Sequence, residues 1–236
     1  MATLQNNFDS YIDLLINNPL FEGATQQAMI SLVEKCKLKR LIKGTPCIGK
    51  EKTHYNFYFI TNGKVKVFNL NNSDKQFTLF ILSKNDVFDV FTLINNQQHN
   101  VCYDVLQDLD VLVISIDALR DWLKKNPQTL NCFFKYTIKK FELLESHILD
   151  LGTNNLTARL ANLLLQHYNV KNHQIEDIND LTHDELAQLI GTSRAVFNHH
   201  IQEFKKAGII HVSRKHIEIL NLLLLTELSQ TEDPLI

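Results

Sequence analysis

The spacing of apolar residues changes period along the chain. Near the N-terminus it is helical: a run from Phe8 to Asn17, then a short helix opened by Leu20 and Phe21 in which Ala28, Met29, Leu32 and Val33 share a face. From Leu38 the period shortens. Tyr55–Ile60 is aromatic and β-branched and runs into Asn62-Gly63, a hairpin-turn dipeptide. Lys64–Phe68 alternates polar and apolar, as a half-buried strand does. Asn71–Asp74 reads as a turn, and Phe77–Ile81, Val87–Phe91, Val101–Leu106 and Val111–Ile116 read as further short strands. Short strands at such regular spacing predict a small β-barrel or roll.

Helical spacing returns at Ala118–Lys125, for which Asp117 is the expected N-cap. Pro127 then suits a helix start. In the segment that follows, Leu130, Phe134, Thr137, Phe141, Leu144, Ile148 and Leu151 alternate steps of four and three, the a/d spacing of a coiled-coil seam. A helix packed on its own domain would explain part of that pattern. A seam of this length favours a partner helix, and a second copy of the chain is the simplest partner. Gly152–Asn155 breaks the helix, Leu156–Tyr168 is helical again, and Asn169–Asp180 reads as a polar connector.

The next segment carries the most chemistry. Thr182-His183-Asp184-Glu185 is a capping box. The helix it opens runs to Gly191, which supplies a sharp turn, and Thr192-Ser193 caps a second helix from Arg194 to Ala207. Phe197, Ile201 and Phe204 form the buried stripe of that second helix. This is a helix-turn-helix, whose second helix enters the DNA major groove N-terminus first. The expected DNA-facing residues are Thr182, Thr192, Ser193, Arg194, Ala195, Asn198, His199 and Gln202. Arg194 suits guanine or a phosphate, and Ser193 with the helix amides suits a phosphate. After Gly208, Ile209–Val212 and His216–Ile219 predict two strands around Arg214 and Lys215, a wing whose basic tip lies on phosphates. His200 is expected half-buried against the first helix of the pair.

Composition narrows the alternatives. With 236 residues, 44% of them hydrophobic, and a net charge of −2, the chain is neither disordered nor uniformly basic. No apolar run approaches the ~18–20 residues that span a bilayer. No basic N-terminal region precedes an apolar stretch, so a cytoplasmic location is expected. Cys36, Cys47, Cys102 and Cys132 form no CxxC pair, which argues against a zinc or thioredoxin-type site. No glycine-rich phosphate loop, nucleophile elbow or HExxH is present, so no enzyme is indicated and no catalytic or metal residue is assigned. From Leu156 to Asn221 seven basic residues balance seven acidic ones, and seven of the ten histidines lie in that stretch. A protein-interaction module using the roll and Leu222–Leu225 is the reading from another class.

Leu20-Phe21-Glu22-Gly23, Lys43-Gly44, Phe59–Val67, Thr157-Ala158-Arg159-Leu160-Ala161 and above all Leu181–Gly208 resemble the superfamily of the cyclic-AMP receptor protein and the fumarate–nitrate reductase regulator (Crp/Fnr). The resemblance implies an α+β chain: a cyclic-nucleotide-binding-type β-roll over residues 1–125, a dimerisation helix over 126–153 and a winged helix-turn-helix over 154–236. It also implies a transcription regulator, a homodimer on near-palindromic double-stranded DNA, with RNA polymerase as a candidate further partner. The departures are specific. Nucleotide-binding members carry Gly-Glu and then Arg-Ser or Arg-Thr in the phosphate cassette; here the stretch reads Phe88-Asp89-Val90-Phe91-Thr92-Leu93, and no arginine lies between Arg40 and Arg120. A buried cyclic phosphate needs a paired cation, so no cyclic-AMP response is expected. Phe88, Val90, Phe91 and Leu93 would instead line an apolar effector pocket. The N-terminal cysteine cluster of the iron–sulfur members is missing. Heme is the remaining cofactor alternative, with His99, Cys102 or His147 as axial ligand; otherwise none is expected.

Overall fold

The computed structural model describes residues 10–45, 50–70, 76–88, 90–213 and 216–230. The chain divides into two compact units. The first runs to Glu142, apart from Gln76–Thr78, which belongs with the second; the second continues from Leu143. The division therefore falls inside the long helix rather than at either of its ends.

Residues 10–16 of the first unit are helical, followed by α1 (Gln26–Val33), β1 (Lys37–Leu41), α2 (Lys50–Tyr55), β2 (Asn56–Asn62), β3 (Val65–Leu70), β4 (Gln76–Leu82), β5 (Val87–Phe88), α3 (Val90–Asn95), β6 (Cys102–Val105), β7 (Leu109–Ser115) and α4 (Ile116–Lys125). Two sheets form the roll, one ordered β1-β7-β2-β5 and the other β4-β3-β6. Asn62-Gly63 does not close a hairpin. β2 pairs with β7 and β5, while β3 pairs with β6. The dipeptide carries the chain from one sheet to the other, past a register shift between Ile60 and Asn62. A Cβ on Gly63, whose φ is +93°, would lie 2.3 Å from the Asp108 carbonyl oxygen. The β6–β7 link crosses sheets at the same corner, which requires both the left-handed backbone and the missing side chain.

β2 is apolar at successive positions because both of its faces are buried. Phe57 and Phe59 enter one core with Phe21, Met29, Leu112, Ile114, Trp122 and Phe133. Tyr58 and Ile60 enter the other, the interior of the roll, with Val65, Val67, Phe88, Tyr103 and Val111. Phe21 sits within 6.0 Å, centroid to centroid, of Phe59, Trp122 and Phe133. Each such fully buried ring contributes about 1.5–3 kcal/mol relative to exposure. Trp122 Nε1 donates to the Ala28 carbonyl at 2.8 Å, so its polar edge is satisfied as well.

Three local expectations need correction. Ser115, not Asp117, caps α4, accepting from the Ala118 amide at 3.2 Å; β7 ends at Ser115, one residue before the expected strand end, so the helix starts at Ile116 and Asp117 pairs with Arg120 within its first turn. Val87–Phe91 is a strand only at Val87–Phe88 and then becomes α3. Asn169–Asp180 is not purely a connector, since β8 (Tyr168–Asn169) and β9 (Gln174–Ile175) pair across it.

The long helix α5 (Leu130–Thr153) follows a 3-10 turn at Pro127–Thr129. It is held to the first unit by Phe133 and by Asp86. The Asp86 carboxylate accepts from the Tyr136 hydroxyl at 2.8 Å and meets Lys140 Nζ at 2.8 Å. Burial pushes the Tyr136 phenol well above its ordinary range. The second unit continues with α6 (Leu156–Gln166), capped by Asn155, then β8 and β9, α7 (His183–Leu189), α8 (Arg194–Lys206), the antiparallel pair β10 (Ile210–Ser213) and β11 (His216–Ile219), and α9 (Leu222–Ser229). Among the described residues no helix is long and apolar enough to cross a membrane.

Gly63→Ala is expected to cost at least about 2 kcal/mol, the sum of left-handed strain and a backbone clash. Urea unfolding of the two proteins measures it; a change below about 0.5 kcal/mol would show that the corner can relax.

Candidate nucleic-acid interface

The Thr182 amide donates to Glu185 at 2.6 Å and the Glu185 amide to Thr182 Oγ1 at 3.2 Å, closing the capping box that starts α7. The turn after α7 is fixed from three directions. Gly191 has φ +66°, and a Cβ there would lie 2.7 Å from Leu151 Cδ2 at the end of α5. The Thr192 amide donates to the Ala187 carbonyl at 2.9 Å. Arg159 Nη1, from α6, donates to the Ile190 carbonyl at 2.8 Å. This last contact was missed in the sequence, because Arg159 reaches a carbonyl 31 positions away that no motif marks.

Ser193 alone caps α8, accepting from the Val196 amide; Thr192 lies in the turn before it. Phe197, Ile201 and Phe204 are buried as expected. Arg194, Ala195, His199 and Gln202 are exposed on the opposite side, with Ser193 at their N-terminal end. Asn198 is half-buried, and its Oδ1 accepts from the His183 ring. Lys205 and Lys206 occupy the last turn, where positive charge suits the helix dipole. β10 and β11 form the wing strands. The expected tip residues, Arg214 and Lys215, lie outside the described residues.

His200 is half-buried, and its polar contacts run to α6 and to its own helix. Its Nδ1 lies 3.4 Å from Thr157 Oγ1 on α6 and 3.2 Å from Glu203. His199 Nε2 meets the same carboxylate at 3.2 Å, so a positive His199 faces Glu203 as well as any phosphate. Burial pulls the His200 imidazole below its ordinary value, against the smaller upward pull of Glu203. His147, Asp150, Leu151, Arg159 and Ile190 line a cavity of about 20 Å³ under the turn. Burial lowers His147 too, with Asp150 opposing and Arg159 assisting.

On α5, Leu130, Phe134, Thr137, Phe141 and Ile148 are exposed, with Phe141 at 65%. Leu144 and Leu151 are half-buried against their own chain. Ile138 and Leu149, outside the expected seam, are 58% and 59% exposed. The apolar stripe is thus rotated from strict a/d positions toward Ile138 and Leu149.

The four expected pocket residues do not converge. Phe88 lies in the roll interior, Val90 and Leu93 belong to the other core, and Phe91 is exposed with its ring 4.7 Å from His99. The reason is α3: a helical turn sends consecutive side chains in different directions, where a strand would have sent alternate ones to one face. Phe88 stacks on Tyr103 at 4.7 Å and on Tyr58 at 5.1 Å, filling the interior with rings. Arg40 is engaged by Asp108 at 3.3 Å, Arg120 by the carbonyls of Thr92 and Leu93, and Lys66 by Asp104 at 3.6 Å. Of the heme candidates, His99 and Cys102 belong to the first unit and His147 to the second. Among the described residues no group of three or more His, Cys, Asp or Glu could hold a metal ion. Burial pushes the Cys36 thiol up to about 12, which disfavours the thiolate. Cys47 and Asp89 lie outside the described residues.

Residues 38–126 match the model of the cyclic nucleotide-binding domain, and residues 158–228 that of the Crp-like helix-turn-helix domain. The chain is 22% identical over 211 residues to the CRP-like cAMP-activated global transcriptional regulator of Mycobacterium tuberculosis, covering 88% of this chain and 94% of that one. It is 26% identical over 213 residues to the anaerobic regulatory protein of Bacillus subtilis, covering 88% and 86%. The solved structure of FixK2 from Bradyrhizobium japonicum matches with a TM-score of 0.73 at 16% identity, covering 83% of this chain and 98% of that one.

His147 and His200 both have folded-state values below the ordinary 6.5. Just below that pH the unfolded chain binds more protons than the folded one. Stability is therefore full above about 6.5 and falls as the solution becomes more acid. The thermal midpoint should drop between pH 7.5 and 5.5, and less so in His200→Gln. Identical pH dependence in the two proteins would remove burial of His200 as a cause.

Proposed function

The chain is a Crp/Fnr-type transcriptional regulator with a helix-turn-helix DNA-binding domain, and on that premise we propose that it acts as a homodimer on a near-palindromic duplex without responding to cyclic AMP. The observation that carries the dimer is the stripe of Phe134, Ile138, Phe141, Ile148 and Leu149 on α5, large side chains left in water along a 24-residue helix. Leaving such a stripe exposed forfeits the burial that stabilises a helix of this kind, and a second copy restores it. The two-fold axis would then set two α8 helices about 34 Å apart, one per successive major groove. Arg194 at the helix start is the strongest single reader or phosphate contact, with Ala195, His199 and Gln202 beside it and Thr182, Thr192 and Ser193 toward the backbone. Ala195 replaces the glutamate of many relatives, so the preferred half-site differs from theirs. Bound at a promoter, such a dimer is placed to meet RNA polymerase.

Two features support the absence of a cyclic-AMP response. The rings of Tyr58, Phe88 and Tyr103 occupy the roll interior. The described cations Arg40, Lys66 and Arg120 are each engaged by carboxylates or carbonyls. A cyclic phosphate would have to compete with those partners for these three cations.

Gel retardation with duplexes selected by the protein tests the reading. Arg194→Ala is expected to lose about 1–3 kcal/mol of specific affinity. Added cyclic AMP should leave the wild-type midpoint unchanged. Phe141→Asp combined with Ile148→Asp should give a monomer by light scattering and abolish tight binding. A double variant that stays dimeric would move the interface away from α5.

A further inference from the structure

We infer that Glu145 makes the pairing of two chains respond to pH, because the apolar stripe of α5 sets its carboxylate against its own copy. The inference rests on α5 being the dimer interface. The exposed large apolar side chains of α5 are Leu130, Phe134, Ile138, Phe141, Ile148 and Leu149. At 3.6 residues per turn they fall within an arc of about 100°. Glu145 falls inside the same arc and is itself exposed. Phe134, Ile138, Phe141, Glu145 and Ile148 alternate steps of four and three, so in the rotated seam Glu145 stands where a paired helix covers it.

The neighbouring positions add no cation. Three and four residues away stand Phe141, Glu142, Ile148 and Leu149. The described elements that pack on this half of α5 lie on its other side. β4 brings Phe77 to the His147 ring, α6 brings Asn162 to Asp150, and the turn before α8 brings Gly191 to Leu151. The charged and titratable groups on that side, His147, Asp150 and Arg159, line the cavity.

The second unit follows α5 in the chain. A parallel pair therefore carries both reading helices toward one end, where one duplex engages both. In a parallel pair in register, each seam residue meets its own copy across the two-fold axis. Two Glu145 carboxylates then meet among apolar side chains that exclude water, with two Glu142 carboxylates beside them. Like charges so placed disfavour full ionisation of the pair. Separate chains leave each carboxylate in water. Pairing thus takes up a proton, and by linkage the dimer tightens as the solution becomes more acid.

Sedimentation equilibrium of the full-length protein at pH 7.5 and 5.5, at fixed salt, tests this. The dissociation constant of the wild-type dimer should fall about tenfold at the lower pH, as for two carboxylates that share one proton. Glu145→Gln should pair more tightly than the wild type at pH 7.5 and lose most of that pH dependence. A second readout reports the juxtaposition itself. On oxidation, Glu145→Cys should form a covalent dimer beyond the wild-type background, while Lys139→Cys, outside the arc, should not. Equal pH dependence in wild type and Glu145→Gln, or a Glu145→Cys variant that crosslinks no better than Lys139→Cys, would each overturn the inference while leaving a dimer in place. A wild type that stays monomeric at both pH values would overturn the α5 interface and the inference with it, so the two failures are distinguishable.

Discussion

Everything else in this chain depends on a helix that its own units cannot fully cover. α5 has 24 residues and one fully buried side chain, Phe133. At 1.5 Å per residue it is about 36 Å long, and an isolated helix with so little packing is marginal in water. Phe133, Tyr136 and Lys140 attach its first half, with Asp86 satisfying both polar groups. Leu151 attaches its end by pressing on Gly191 in the turn between α7 and α8. The side chains left over are large and apolar. The part of the helix in the first unit meets a core, the part in the second meets the turn before α8, and each part keeps large apolar side chains exposed.

The turn between α7 and α8 shows how tightly the reading domain is tied to that helix. Leu151 leaves no room for a Cβ at Gly191, and Arg159 holds the carbonyl just before it. Asp150, one residue before Leu151, accepts from Asn154 at 2.7 Å and from Asn162 on α6 at 2.8 Å. A shift of the last turn of α5 would therefore be felt at the start of α8 through packed side chains and direct hydrogen bonds. The cavity beneath is about 20 Å³, room for roughly one water molecule, so little slack exists to absorb such a shift.

Legibility in the sequence followed the range of the interaction. Contacts within one turn were readable: the Thr182–Glu185 box, the Phe197–Ile201–Phe204 stripe, the wing strands and the long helix all depend on neighbours three or four residues apart, or on a short hairpin. Failures came where a distant segment decided the outcome. Asn62-Gly63 has hairpin chemistry, yet β7 and β5 claim β2 while β6 claims β3. Phe88, Val90, Phe91 and Leu93 looked like one apolar set, and only the turn into α3 separates them. The rotation of the α5 stripe came from Leu144 and Leu151 being drawn toward their own chain. The hydrogen bond between His183 and Asn198 spans 15 positions, and no periodicity marks it.

The charge balance constrains how such a domain can recognise DNA. With seven basic against seven acidic residues from Leu156 to Asn221, and with Glu203 beside both His199 and His200, the domain has little net attraction for phosphates. Counterion release, the main source of non-specific binding, is correspondingly weak. Discrimination must then come from directed hydrogen bonds at base edges, made by the few side chains that we propose as readers: Arg194, Asn198, His199 and Gln202. With so few readers, each restriction on one of them carries more weight than it would on a strongly basic surface.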